Sequence, residues 1–145
     1  MKRRALLAGL IACVGAPARA EPRQVVLVVR ADSHVTSLDA VTVRKLFLGL
    51  PVLTDGVPLR PIVNRSEPLL ERIFLQHMVG MTSEAYDRQI LIGINRQGRL
   101  PPAQMTESAR VLRELHSDPY AVSFLWRHAA AADSQLRVVR VLWEE

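Results

Sequence analysis

The chain has 145 residues and one cysteine, Cys13. That cysteine falls in an amino-terminal segment with the marks of an export signal. Met1-Lys2-Arg3-Arg4 is a basic head, residues 5–16 are uncharged and mostly apolar, and Ala18-Arg19-Ala20 offers small residues where a signal peptidase reads them. The expectation is a signal peptide over residues 1–20, cleaved after Ala20, and a single domain over residues 21–145. Leu10-Ile11-Ala12-Cys13 also resembles a bacterial lipobox, so the alternative is a lipoprotein anchored at Cys13. Either way the domain itself has no cysteine, which excludes a disulfide, a thiolate metal site and a cysteine nucleophile within it.

Other absences narrow the chemistry. The four histidines, His34, His77, His116 and His128, form no H-x-x-x-H or H-E-x-x-H pair, so the spacing that aims two imidazoles at one zinc ion is missing. Neither a G-x-S-x-G elbow nor a G-x-x-x-x-G-K-[ST] phosphate loop occurs. The apolar run over residues 5–16 falls well short of the roughly 20 residues that span a bilayer, and no transmembrane span is expected. The reading is of a protein that is not an enzyme and that holds no metal or cofactor.

Charge looks at first like a sign of nucleic-acid binding, with a net +5 and a pI near 10.3. Four of the 19 basic residues (Lys2, Arg3, Arg4 and Arg19) lie in the signal segment, while all 14 acidic residues lie beyond it. Fifteen against fourteen leaves the domain at +1, and the case for a nucleic-acid partner goes with the signal. The basic residues that remain are one lysine, Lys45, and fourteen arginines. Arginine's planar fork suits carboxylate, phosphate or sulfate. Arg65 and Ser66 precede a predicted helix start, where free backbone N–H groups favour anions. Arg96 and Arg99 flank Gly98 in a predicted loop. These four residues are the candidate oxyanion-binding set. Glu67, beside Ser66, competes with an anion there because it stabilises the positive helix end itself.

The hydrophobic pattern predicts β-α-β-α-α-α-β-α-β. Residues 24–30 are a continuous β-branched run, as in a strand buried on both faces. Ser37 is the expected cap of a helix over residues 38–48, with Ala40, Val43, Phe47 and Leu50 on one face and Gly49 and Pro51 ending it. Thr54-Asp55-Gly56 is a turn and residues 60–64 a second strand. Ser66 is the expected cap of the next helix, with Pro68 in its first turn and Gly80 stopping it. A further helix starts at Thr82 or Ser83 and ends near Gly93; residues 95–102 are an irregular loop. Thr106 caps a helix to about Ser117. Residues 120–125 and 136–142 are strands, with a short helix near 127–132. Alternating buried strands and helices predict a three-layer α/β domain: a mostly parallel sheet with helices on both faces.

Several segments together resemble a known family. Ser37-Leu38-Asp39 through Val43-Arg44-Lys45-Leu46-Phe47-Leu48-Gly49 is similar to the "S-L-…-L-…-I-F-L-G" stretch of phosphate-binding proteins of ABC transporters. There follow Thr54-Asp55-Gly56 for "W-x-D-G", the strand to Asn64, and Arg72-Ile73-Phe74 for the helix carrying a Phe. Val79-Gly80-Met81-Thr82 resembles "V-L-G-x-S", Gly98-Arg99-Leu100-Pro101-Pro102 resembles "G-R-x-P-P", and residues 118–124 resemble "P-G-A-I-G-Y". The likeness runs over nearly all of residues 24–142.

The resemblance implies one lobe of a type-2 periplasmic-binding-protein fold, a periplasmic location, and a solute-binding-like role in transport. Phosphate or another oxyanion is the implied ligand, and an ABC permease or a second copy of the chain the implied partner. The family's phosphate-holding Ser-Gly-Thr triplet corresponds here to Pro68-Leu69-Leu70, which lack the hydroxyls and, at proline, the N–H. Two expectations follow: an exported solute-binding-like protein that binds an oxyanion weakly, or a periplasmic protein-interaction or sensory accessory that has lost the ligand.

Overall fold

The computed structural model describes Gly15 and residues 21–145. The signal peptide, its cleavage after Ala20 and the lipobox at Cys13 lie outside the described residues. The chain's first strand, β1 (Gln24–Arg30), has its five central residues fully buried. Val25, Leu27 and Val29 point into one apolar cluster, Val26 and Val28 into another. β6 (Ala121–Trp126) repeats the pattern: Val122, Phe124 and Trp126 on the first face, Ala121 and Leu125 on the second. Both strands read as continuous apolar runs because helices cover both sides of the sheet.

The sheet has the order β5-β4-β6-β1-β7, with β4 at Arg60–Asn64, β5 at Ala103–Met105 and β7 at Leu136–Glu144. β4 is parallel to β5 and to β6, whereas β1 is antiparallel to both β6 and β7. Four strands therefore share one direction and β1 alone opposes them, so the sheet is mostly parallel, as expected. Helices α1 (Ala40–Phe47), α2 (Pro68–Phe74) and α3 (Ser83–Gln97) build the first face. Helices α4 (Ser108–Ser117) and α5 (Arg127–Ala131) build the second. A small hairpin, β2 (Leu53–Thr54) and β3 (Val57–Pro58), stands apart from this sheet. Its turn carries positive φ at Asp55 and Gly56, as the primed hairpin turns require.

Several local expectations are corrected. Ser37 does not cap α1; Asp39 does, its Oδ1 accepting from the Thr42 N–H at 2.7 Å. α1 buries Val43, Leu46 and Phe47 and leaves Ala40 exposed. Ser66 does not cap α2 either: Glu67 holds that position without a side-chain bond, and the Ser66 hydroxyl donates to Asn64 Oδ1 at 2.6 Å. Asn64 outcompetes the helix for it because an Asx-type turn is closed two residues away. Thr106 is likewise displaced by Glu107. α3 runs through Gly93 to Gln97 and ends at Gly98, whose φ of 61° gives the left-handed stop. Residues 95–97 of the predicted loop are thus helical, residues 98–102 carry no regular structure as expected, and residues 103–105 beyond them pair with β4 as an edge strand.

The first core is organised around three rings. Phe47, Phe74 and Phe124 bring α1, α2 and β6 together, with Phe74 stacked on Phe124 at 3.8 Å between centroids and Phe47 edge-on to Phe74 at 4.7 Å. A π-helical turn, Leu75–Val79, follows α2 and buries Leu75 and Val79 before Gly80 stops the chain. Among the described residues no helix is long and apolar enough to cross a membrane.

Candidate functional site

In an open sheet of this kind ligands gather outside the carboxyl ends of the parallel strands, where helix starts converge. Here that edge consists of Asn64-Arg65-Ser66 after β4, the start of α4 after β5, the start of α5 after β6, and Glu144 and Glu145 at the end of β7. Arg23 and Gln24 join it because β1 runs the other way.

Arg65 reaches this edge with its charge already matched. Its side chain is 18% exposed, and its Nε lies 3.1 Å from Glu71 Oε1 in α2, close enough for ion pairing but not aligned as a hydrogen bond. Its Nη2 donates to Asp87 Oδ1 in α3 at 2.6 Å. Glu71 in turn accepts from the Ser83 hydroxyl at 2.7 Å. Tyr86 packs beneath. Burial, first, pushes its phenol well above the ordinary range; Arg65 opposes this, while Asp87 and Glu71 add to it. The hydroxyl stays protonated and donates to the Phe47 carbonyl. It therefore serves as a strut between α3 and α1.

The other groups at the edge are also tied to one another. Trp126 Nε1 donates to Glu67 Oε2 at 2.6 Å, Arg127 to Gln24, and Arg23 pairs with Glu145 at 3.1 Å. Hydrogen bonding to Glu145 raises the Arg23 pKa, and the same bond lowers that of Glu145. Glu67 and Glu107 occupy the cap positions of α2 and α4, where their charge meets the positive helix ends. Pro68 opens α2 without an N–H to donate. Glu67, Asp87, Glu107, Glu144 and Glu145 are all exposed, so the rim is rich in carboxylate.

The four candidate oxyanion residues are not brought together. Arg65 and Ser66 sit at the carboxyl end of β4. Arg96 is exposed in the last turn of α3, and Arg99 follows Gly98. Asp87, which holds Arg65, and Arg99 are separated by most of the length of α3, about 18 Å at helical rise. Arg99 instead lines a groove of about 660 Å³ at the amino ends of β4 and β5, with Leu50, Pro58, Arg60, Leu100 and Pro102. Arg60 there is bound by Asp118 at 3.0 Å and Glu114 at 2.8 Å. Burial lowers its pKa, but those two bonds outweigh it and the net direction is up. Glu71 and Asp87 are not readable from the residues alone as partners of Arg65, because they come from two separate helices. Among the described residues no cluster of three or more His, Cys, Asp or Glu side chains forms a metal site.

Solved structures confirm the architecture. An ABC-type phosphate transport receptor from Vibrio cholerae aligns at TM-score 0.59 and 10% identity, covering 83% of this chain and 46% of that one. A putative phosphate ABC transporter substrate-binding protein with bound phosphate from Clostridium perfringens aligns at TM-score 0.63 and 11% identity, over 83% and 45%. A possible phosphate binding protein from Planctomyces limnophilus gives 0.57 and 9%, over 83% and 42%. No protein-family model and no curated protein matches the chain. At these identities the likeness shows the fold: the chain is built like one lobe of a phosphate-type substrate-binding protein. It spans a little under half the length of the solved proteins it matches.

Proposed function

We propose that this chain is an exported, solute-binding-like lobe that works through contact with a protein partner at the carboxyl end of its sheet, and does not carry free phosphate. One observation carries the reading: Arg65, the candidate oxyanion arginine at that edge, is bound by Glu71 and Asp87 within a rim of exposed carboxylates. An incoming phosphate on Arg65 would meet Asp87, already 2.6 Å from that guanidinium, and like charges at such range are repelled. Pro68-Leu69-Leu70 offers little in return. The partner's matching chemistry is a basic segment. The basic head and A-x-A exit of residues 1–20 support export to the periplasm.

A second reading keeps the oxyanion. Asp87 is half exposed, so a competing anion has room to take its place on Arg65 beside Ser66. Thermal melts in phosphate, sulfate and molybdate separate the two. The first reading predicts no change in Tm up to about 10 mM anion; a saturable rise would establish the second by linkage. For the partner, Glu107→Lys and Glu144→Lys invert exposed rim charges. Cross-linking in the exporting cell is expected to lose its complex in both variants, and a complex untouched by either would refute the assignment to this edge.

A further inference from the structure

The groove at the amino ends of β4 and β5 lies at the opposite end of the sheet from Arg65. β4 has five residues, which at strand rise separates its two ends by about 13 Å. The volume, about 660 Å³, is within the range of small-ligand sites, about 300–1,000 Å³. Its wall is leucine and proline, and the prolines hold it in shape because their φ angles are fixed. Gly49, in the left-handed region at φ 83°, turns the chain out of α1 beside this wall; a Cβ there would make only ordinary contact with the Leu100 carbonyl oxygen, at 3.5 Å. Gly98 turns α3 into the same wall. The groove is thus formed before any ligand arrives.

Two cations line it, and they differ. The Arg60 guanidinium is spent on Glu114 and Asp118. Arg99 lies along α3, with Cδ 3.5 Å and Nη1 3.8 Å from where a Gly93 Cβ would stand. Among the described residues no carboxylate pairs with it. An apolar groove with one uncommitted guanidinium on its wall is complementary to an apolar chain that ends in a carboxylate. We infer that this groove binds an aliphatic carboxylate, its chain against the leucine and proline wall and its carboxylate on Arg99. That chemistry occurs in free fatty acids and in the apolar carboxyl end of a peptide.

The test uses calorimetric titration of the domain with octanoate, with octanol, and with an apolar tripeptide in free-acid and amidated forms. Octanoate or the free-acid peptide is expected to bind saturably below about 1 mM. The corresponding alcohol or amide is expected to bind at least about tenfold more weakly, as loss of a charge-assisted bond predicts. Whichever acid binds more tightly identifies the source. Arg99→Gln should abolish the preference for acid, and Arg99→Lys should keep part of it. Leu100→Glu, at a residue 87% exposed, should weaken acid binding by placing a rival carboxylate beside Arg99. Equal binding of acid and neutral forms, no saturation with either acid, or an acid preference that survives Arg99→Gln would overturn the assignment.

Discussion

Replacing Arg65 with methionine tests whether the ion cluster is a structural element. Methionine keeps most of the volume and the apolar stem and removes only the guanidinium. Glu71, whose side chain is 14% exposed, would then keep one partner, the Ser83 hydroxyl. Breaking a fully buried pair by removing one member costs about 3–5 kcal/mol. Arg65 and Glu71 are four-fifths buried, and some water relieves the orphaned carboxylate, so about 2–3 kcal/mol is expected. For a domain of this size that lowers Tm by roughly 4 °C per kcal/mol. Glu71→Gln should cost less, about 1 kcal/mol, because Asp87 still pairs with Arg65 and the amide keeps the Ser83 bond. Asp87→Asn, at an exposed partner, should cost under about 1 kcal/mol. Urea unfolding of the three variants at constant m-value measures this order. The order would be refuted if Arg65→Met cost no more than Asp87→Asn, since the cluster would then be a solvated surface contact. A double-mutant cycle on Arg65 and Glu71 should show coupling of about 1 kcal/mol or more.

Phe74→Ala removes a ring that stacks on Phe124 and meets Phe47 edge-on; a loss of about 3–5 kcal/mol is expected, measured by chemical denaturation. Gly80→Ala forces a Cβ into φ 76° in otherwise open space, and should cost about 1 kcal/mol through backbone strain alone. Asp39 has its pKa held down, first by the backbone N–H of Thr42 and then by its hydroxyl. A depressed carboxylate stabilises the fold above its unfolded value and loses that contribution as pH falls through its folded value. Stability should therefore decline below about pH 4, and Asp39→Asn should reduce the slope of that decline in melts across the acid range. Asp32, lowered by its bond to Arg30, and Glu145, lowered by Arg23, add to the same limb.

Which parts of the fold were legible follows from how local their causes are. β1 and β6 announce themselves as apolar runs, and residues 60–64 match their predicted bounds. The stops at Gly49 and Gly80 were readable from glycine alone. Gly93 misled because a glycine inside a helix costs only about 1 kcal/mol and Ile94 continues the apolar face beyond it. β5 was hidden because Ala103-Gln104-Met105 carries no β signal and becomes a strand only through its pairing with β4. The reversed direction of β1 has no local cause at all; it is set by which neighbours it meets. Ser37, Ser66 and Thr106 are all good caps by type, and in each case an acidic neighbour holds the position instead. At the candidate site, Arg65 and Ser66 were readable as a pair. Their separation from Arg99, and the carboxylates that bind Arg65, depend on how α2 and α3 pack.

The most direct measurement is an amide chemical-shift titration of the domain with phosphate, followed at Arg65, Ser66 and Leu69. No saturable shift is expected at these three residues up to about 10 mM, because Arg65 remains on Glu71 and Asp87. Saturable shifts there, matched by a rise in Tm of the size linkage requires, would contradict it and return the carboxyl edge to oxyanion binding.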